Sequence, residues 1–158
     1  MKHITEAFFV MLKFCVATLV GLLIVPVVLQ IASRYTDLIP TFMWTEEAAR
    51  FCLIWTIMLG SSVAVRENLH FDIDLLPTPR TKFGVFLSRA LVVLAIALFG
   101  LAFLWMGALY AWEARQELSE ITELPMIWMY AAFPVAAAGW ILFAAEKLVA
   151  EARALKGV

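Results

Sequence analysis

The sequence predicts an all-α integral membrane protein of four transmembrane helices, with both termini on the cytoplasmic side. Three observations carry this. The 158 residues are 64% hydrophobic and only 16% charged, with a mean hydropathy of +0.91. A soluble domain is ~45–50% apolar and ~25% charged, so the surplus has to face something other than water. Four charge-free runs, at 14–33, 51–65, 90–112 and 124–145, divide the chain. Lys and Arg are also distributed unevenly over the flanks of those runs. This composition excludes a soluble enzyme, a disordered segment and a nucleic-acid binder, which would need a basic surface. The net charge of −1 gives no reason to expect an anionic partner.

Helix one is expected over about 14–33, because a bilayer core takes ~20 apolar residues. Lys13 ahead of an apolar stretch raises the question of a secretory signal. The run exceeds the ~7–15 residues of such a signal's apolar core, and no small-residue cleavage site follows, so an uncleaved first helix is expected. Pro26 should bend it.

The second run has only 15 residues. At ~1.5 Å per residue it reaches ~22 Å, short of a ~30 Å core. It has to borrow from a flank, and the N-terminal one suits better, where Pro40 punctuates and Thr41-Phe42-Met43-Trp44 resumes apolar character. Helix two is therefore expected over about 41–65, with Glu46, Glu47 and Arg50 inside its first turns.

Beyond Arg66 the chain alternates, with Leu69, Phe71, Ile73 and Leu75 on one side and His70, Asp72 and Asp74 on the other. That pattern reads as a short interfacial segment between helices two and three, its apolar edge in the bilayer. Two Asp and a His could suggest a cation site, but a full shell would need ligands from elsewhere. Pro77 and Pro79 break the chain. Helix three then follows at about 84–113 and helix four at about 124–147, with Pro134 expected to bend the last. Residues 1–158 form a single membrane domain.

Orientation follows from the cationic residues. Lys2, Lys13, Arg66, Arg80, Lys82, Arg89, Lys147, Arg153 and Lys156 fall on one side, against Arg34, Arg50 and Arg115 on the other. Both termini should thus be cytoplasmic. The third loop, with Glu113, Glu117, Glu120 and Glu123 against Arg115, forms an acidic outer rim.

Candidate chemistry is sparse. No ionisable residue lies in the middle of a run, and His3 and His70 both fall outside the runs, which argues against a haem bundle or a proton-driven exporter. Cys15 and Cys52 belong to no Cys-x-x-Cys pair and are expected too far apart to bridge. No phosphate loop or metal-ligand spacing occurs, so no cofactor is expected.

The informative cluster opens helix two. Arg50 stands at i+4 from Glu46 and i+3 from Glu47, so it can reach either carboxylate. The same face continues through Leu53, Ile57, Gly60 and Ala64, and Gly60-x-x-x-Ala64 is a spacing that admits close approach of another helix. Two readings stay open: charges at headgroup level on a helix that begins late, or a charged face buried against another helix. Ala97, Gly100, Leu104, Gly107 and Ala111 of helix three, and the alanines of helix four, form further small-residue seams. Periodicity does not say whether these meet this chain or a partner.

The string Trp44-x-Glu46-Glu47-x-x-Arg50, followed by Trp55 and Gly60, resembles the second helix of the small membrane subunit of TRAP transporters, the tripartite ATP-independent periplasmic uptake systems. Ala64, Arg66, His70, Asp72, Asp74 and Leu76-Pro77 are similar to the segment that follows, and Leu124-Pro125, Trp128, Tyr130 and Pro134 to the opening of the fourth helix. The resemblance implies an inner-membrane subunit that braces a large membrane subunit. A soluble periplasmic protein captures an organic acid and docks transiently, and sodium coupling resides in the large subunit. Besides membrane lipids these are the partners implied; nucleic acid is not among them. Trp44, Glu46, Glu47, Arg50, Leu53, Ile57, Gly60, Ala64, Arg66, His70, Asp72 and Asp74 would then bind the large subunit, and the acidic outer loop would help dock the soluble protein. The alternative is an independent four-helix transporter working as a homo-oligomer.

Overall fold

The computed structural model describes residues 2–36, 40, 42–67 and 82–156. The helices are α1 (Lys2–Tyr35), α2 (Met43–Glu67), α3 (Lys82–Glu113), α4 (Ile127–Tyr130) and α5 (Ala132–Lys156), with a 3-10 turn at Ala114–Gln116 after α3. Four stretches are long and apolar enough to cross a membrane: Thr5–Tyr35, Met43–Glu67, Ala90–Gln116 and, over α4 and α5 together, Ile127–Ala150. No strand occurs among the described residues. The alternating segment with His70, Asp72 and Asp74, and Pro77 and Pro79 after it, lie outside them.

Among the described residues the main helix contacts run in the order α1 on α2, α2 on α5 and α5 on α3, and α1 also reaches α5 at one end through Thr5, Phe8 and Phe9. Burial follows position. In the most apolar 18-residue window of the span that includes α5, 44% of the residues are buried, against 6% in that of α1 and 11% in that of α3. Phe14, Leu22 and Ile24 of α1 and Leu98, Leu101 and Trp105 of α3 are turned outward as a lipid-facing surface.

Each seam uses small residues, because lipid tails are as apolar as leucine and helices in a bilayer associate through close packing and hydrogen bonds instead. On α3, a Cβ added at Gly100 would stand 3.0 Å from Ile141 Cγ1, and one at Gly107 3.0 Å from Phe133 Cβ. The small-residue stripe of α3 is thus an internal seam with α5. Between α2 and α5, Ser62 is 1% exposed and donates to the Ala136 carbonyl at 3.1 Å. Gly139 faces it so closely that an added Cβ would lie 2.9 Å from Ser62 Oγ. Trp140 Nε1 donates to Ser61 Oγ at 3.0 Å.

The last span is broken at Ala131, between α4 and α5. Pro134 explains the break: it has no N–H to give the Tyr130 carbonyl, and its ring crowds that same carbonyl. In α1, Pro26 lies inside an unbroken helix.

The first helix begins at Lys2, well ahead of the apolar run. The charges that end the run do not end the helix, because distant residues satisfy them. Arg66 Nη2 pairs with Glu6 Oε2 at 2.6 Å, and Arg66 Nε lies 3.8 Å from Glu146 Oε2. Thr5 Oγ1 donates to Glu146 Oε1 at 3.0 Å, and Lys13 pairs with Glu67 at 2.5 Å. Lys147 donates to the Val65 carbonyl. The Arg66 guanidinium lies 4.3 Å from the Phe9 ring centroid and 5.5 Å from that of Phe143, within cation–π range of both. This network joins α1, α2 and α5 at the end of the molecule that holds both chain termini.

Candidate functional site

Among the described residues, the stripe on α2 is the face left largely uncovered. Leu53 and Ile57 are 47% and 56% exposed, and Glu46 and Arg50 are exposed beside them. Gly60 and Ala64 continue the stripe half-buried, and a Cβ added at Gly60 would meet nothing within 4 Å. The opposite side of α2 holds the buried Leu59, Ser62 and Val65. A 3.6-residue period separates these two faces cleanly.

Of the two carboxylates in reach, Arg50 takes Glu46, with Nη2 2.9 Å from Oε1. Glu47 turns away and accepts the Thr122 N–H at 3.1 Å. That bond ties α2 to the loop between α3 and α4. The loop folds as a small hairpin, in which the Ser119 N–H donates to the Leu124 carbonyl and the Met126 N–H to the Glu117 carbonyl, each at 2.9 Å. Glu123 takes φ 53 at its turn, the left-handed region that a short hairpin requires and that a non-glycine residue adopts at a cost. On the neighbouring side, Trp55 Nε1 donates to the Trp128 carbonyl at 3.0 Å and fastens α2 to α4.

Two cavities flank the head of α2. A polar one of about 380 Å³ lies between Glu46, Glu47 and Arg50 and the hairpin residues Glu117, Ser119 and Glu120. An apolar one of about 270 Å³ lies between Trp44, Phe51 and Cys52 and Leu124, Trp128 and Met129.

The Glu46–Arg50 pair is exposed in the isolated chain, and such a pair in water contributes ~0–1 kcal/mol. In an apolar setting the same attraction strengthens, and removing one member strands the other. The face thus offers one ion pair, aliphatic side chains and an open glycine.

The structure brings Glu46, Arg50, Leu53, Ile57, Gly60 and Ala64 onto this face, with Trp44 exposed and Glu47 at its edge. It places Arg66 elsewhere, in the ion network with Glu6 and Glu146, with a side chain only 17% exposed. Sequence periodicity places Gly139 in the packing seam of helix four but missed Ser61 and Ser62, which meet that seam from α2, and Glu6 and Glu146, which hold Arg66. A hydroxyl pair opposite a lone helical glycine was the available signal for the first group. The second had none, since Glu6 and Arg66 stand 60 positions apart.

Residues 23–154 match the family model described as Tripartite ATP-independent periplasmic transporters, DctQ component. Over 112 residues the chain is 33% identical to the sialic acid TRAP transporter permease protein SiaT of Haemophilus influenzae (strain 86-028NP), an alignment that covers 68% of this chain and 17% of that protein. The chain therefore spans less than a fifth of the length of this relative. The family match takes in the C-terminal part of α1, the exposed α2 face, the hairpin and the α3–α5 seam, and on that match the chain belongs to the DctQ component family of the tripartite ATP-independent periplasmic transporters.

Proposed function

We propose that this chain is the small membrane subunit of a sodium-driven, binding-protein-dependent transporter that takes up organic acids, and that it braces a large permease subunit through the outward face of α2. It resides in the inner membrane with both termini cytoplasmic, in line with the nine-to-three division of Lys and Arg between its two sides. The sodium coupling belongs to the large subunit, and a soluble periplasmic protein delivers the substrate. The relative's substrate, sialic acid, is itself an organic acid and supports that class. The chain works as a transporter subunit and not as an enzyme.

The observation that carries this reading is the contrast among the helical glycines. Gly100, Gly107 and Gly139 each have a neighbouring helix pressed against them, while Gly60, on the same stripe of α2 as the Glu46–Arg50 pair, faces open space among the described residues, as Gly21 does on the outward side of α1. The rest of the cluster, Trp44, Glu47, Leu53, Ile57 and Ala64, borders the same surface. His70, Asp72 and Asp74 complete the proposed contact set, while Arg66 is held within the chain by Glu6 and Glu146. The hairpin with Glu117, Glu120 and Glu123 is the surface offered to the soluble binding protein.

Gly60→Leu tests the reading. Because space is open at Gly60, the variant should keep the thermal stability of the purified chain while losing co-purification of the co-expressed large subunit and sodium-dependent uptake. Full retention of both would overturn the role of this face. A homo-oligomer that transports without any large subunit would overturn the scaffold reading itself and favour the independent transporter.

A further inference from the structure

The seam between α2 and α5 is tight at Ser62 and Gly139, where an added Cβ would lie 2.9 Å from a hydroxyl. Toward the heads of α2 and α4 it opens. Trp55 Nε1 reaches the Trp128 carbonyl at 3.0 Å, and beyond that bond lies the apolar cavity of about 270 Å³. Ala48, Phe51 and Cys52 form one wall, and helical spacing puts them on the side of α2 that carries Leu59 and Ser62 further along. Leu124, Trp128 and Met129 form the other wall. A cavity with such walls favours hydrocarbon over water: about 150 Å³ of apolar space already stays dry and takes up an apolar ligand. The polar atoms at its edge are engaged, the Glu47 carboxylate by the Thr122 N–H and the Trp128 carbonyl by Trp55. Phe51 and Trp128 belong to stretches long and apolar enough to cross a membrane, so the hydrocarbon at hand is a lipid acyl chain.

This cleft adjoins the polar cavity of about 380 Å³. Glu47, Met126 and Met129 line both, and Glu46, Arg50, Glu117 and Glu120 line the polar one further. Four carboxylates there face one guanidinium, which Glu46 already holds at 2.9 Å. The excess of negative charge attracts a cationic group and repels an anionic one. Trp44 and Trp128 line the apolar cleft while 45% and 63% exposed, as amphipathic rings do where hydrocarbon gives way to head groups. We infer that the two cavities form a binding site for one phospholipid with an ammonium head group, of the phosphatidylethanolamine class. Its acyl chain fills the cleft between α2 and α4, and its ammonium lies among Glu46, Glu47, Glu117 and Glu120. The bound chain completes the packing between α2 and α4.

Native mass spectrometry of the full chain, delipidated in detergent and titrated with phosphatidylethanolamine or phosphatidylglycerol of the same acyl chains, tests this. One phosphatidylethanolamine should bind about tenfold more tightly than phosphatidylglycerol. Equal affinity for the two would overturn the ammonium assignment. Glu47→Gln with Glu117→Gln should erase the preference, since it removes charge and keeps the acceptor for Thr122; an undiminished preference would overturn it as well. Ala48→Phe, which fills the cleft, should weaken binding of the lipid about tenfold, and unaltered binding would place the lipid elsewhere. Should that variant fail to fold, Cys52 reports on the cleft in a Cys15→Ala chain. Saturating phosphatidylethanolamine should slow its alkylation by N-ethylmaleimide about fivefold or more, and an unchanged rate would overturn the site. Loss of the lipid from the complex co-purified with the large subunit would give the cleft to that partner instead.

Discussion

Gly60 and Gly139 both sit inside helices, yet one added methyl has opposite consequences at the two positions. At Gly139 the new Cβ lies 2.9 Å from Ser62 Oγ and 3.1 Å from Ser62 Cβ. Serine is too short to move its own Cβ aside, so α2 and α5 have to separate. Gly139→Ala should cost ~1–3 kcal/mol, the usual penalty of overpacking a tight contact. At Gly60 the new Cβ meets nothing, and alanine is the better helix former by ~1 kcal/mol. Gly60→Ala should therefore hold or raise the stability of the isolated chain. Thermal unfolding of both variants in one detergent checks the pair; a fall at Gly60 equal to that at Gly139 would contradict the geometry. Neither outcome follows from sequence, since Gly60-x-x-x-Ala64 and Gly100 with Gly107 carry the same small-residue signal. What differs is the presence of a neighbour, which is a property of the fold.

At the scale of elements, charge-free runs locate the spans well because an ionisable group in mid-bilayer is expensive. They locate helix ends poorly wherever a charge has a partner. Glu6 and Lys13 would close α1 if they stood alone, but Arg66 and Glu67 from α2 receive them. The short second run had the reverse problem. Its length implied that Glu46, Glu47 and Arg50 had to lie within the helix, and α2 does contain all three over its 25 residues. The choice of Glu46 over Glu47 by Arg50 was illegible, because it depends on the Thr122 N–H arriving from a hairpin 75 positions away. The α3–α5 seam yields its own prediction. Gly107→Leu would drive a side chain into Phe133 and the Pro134 backbone, which cannot yield as a flexible chain end would. It should lower the melting temperature of the purified chain. Since α5 separates α3 from α2, whatever fraction folds should still co-purify the large subunit. Loss of partner at unchanged stability would instead place α3 in the contact.

For the whole molecule, the placement of the termini can be checked directly in cells. In a background without Cys15 and Cys52, Glu120→Cys in the hairpin should react with a membrane-impermeant maleimide in intact spheroplasts. Ala152→Cys near the end of α5 should react only after the membrane is opened. The reverse pattern would invert the orientation that the cationic residues specify. Beyond orientation, the order α1, α2, α5, α3 has a consequence for transport itself. A closed ring of helices encloses a lumen in which a carboxylate could shed its water against protein dipoles. A single file of helices has two flanks and encloses nothing. Any hydrated anion that crossed beside it would find one wall of protein and one of hydrocarbon. On the proposed function the opposite wall, and with it the path of the substrate, comes from the large permease.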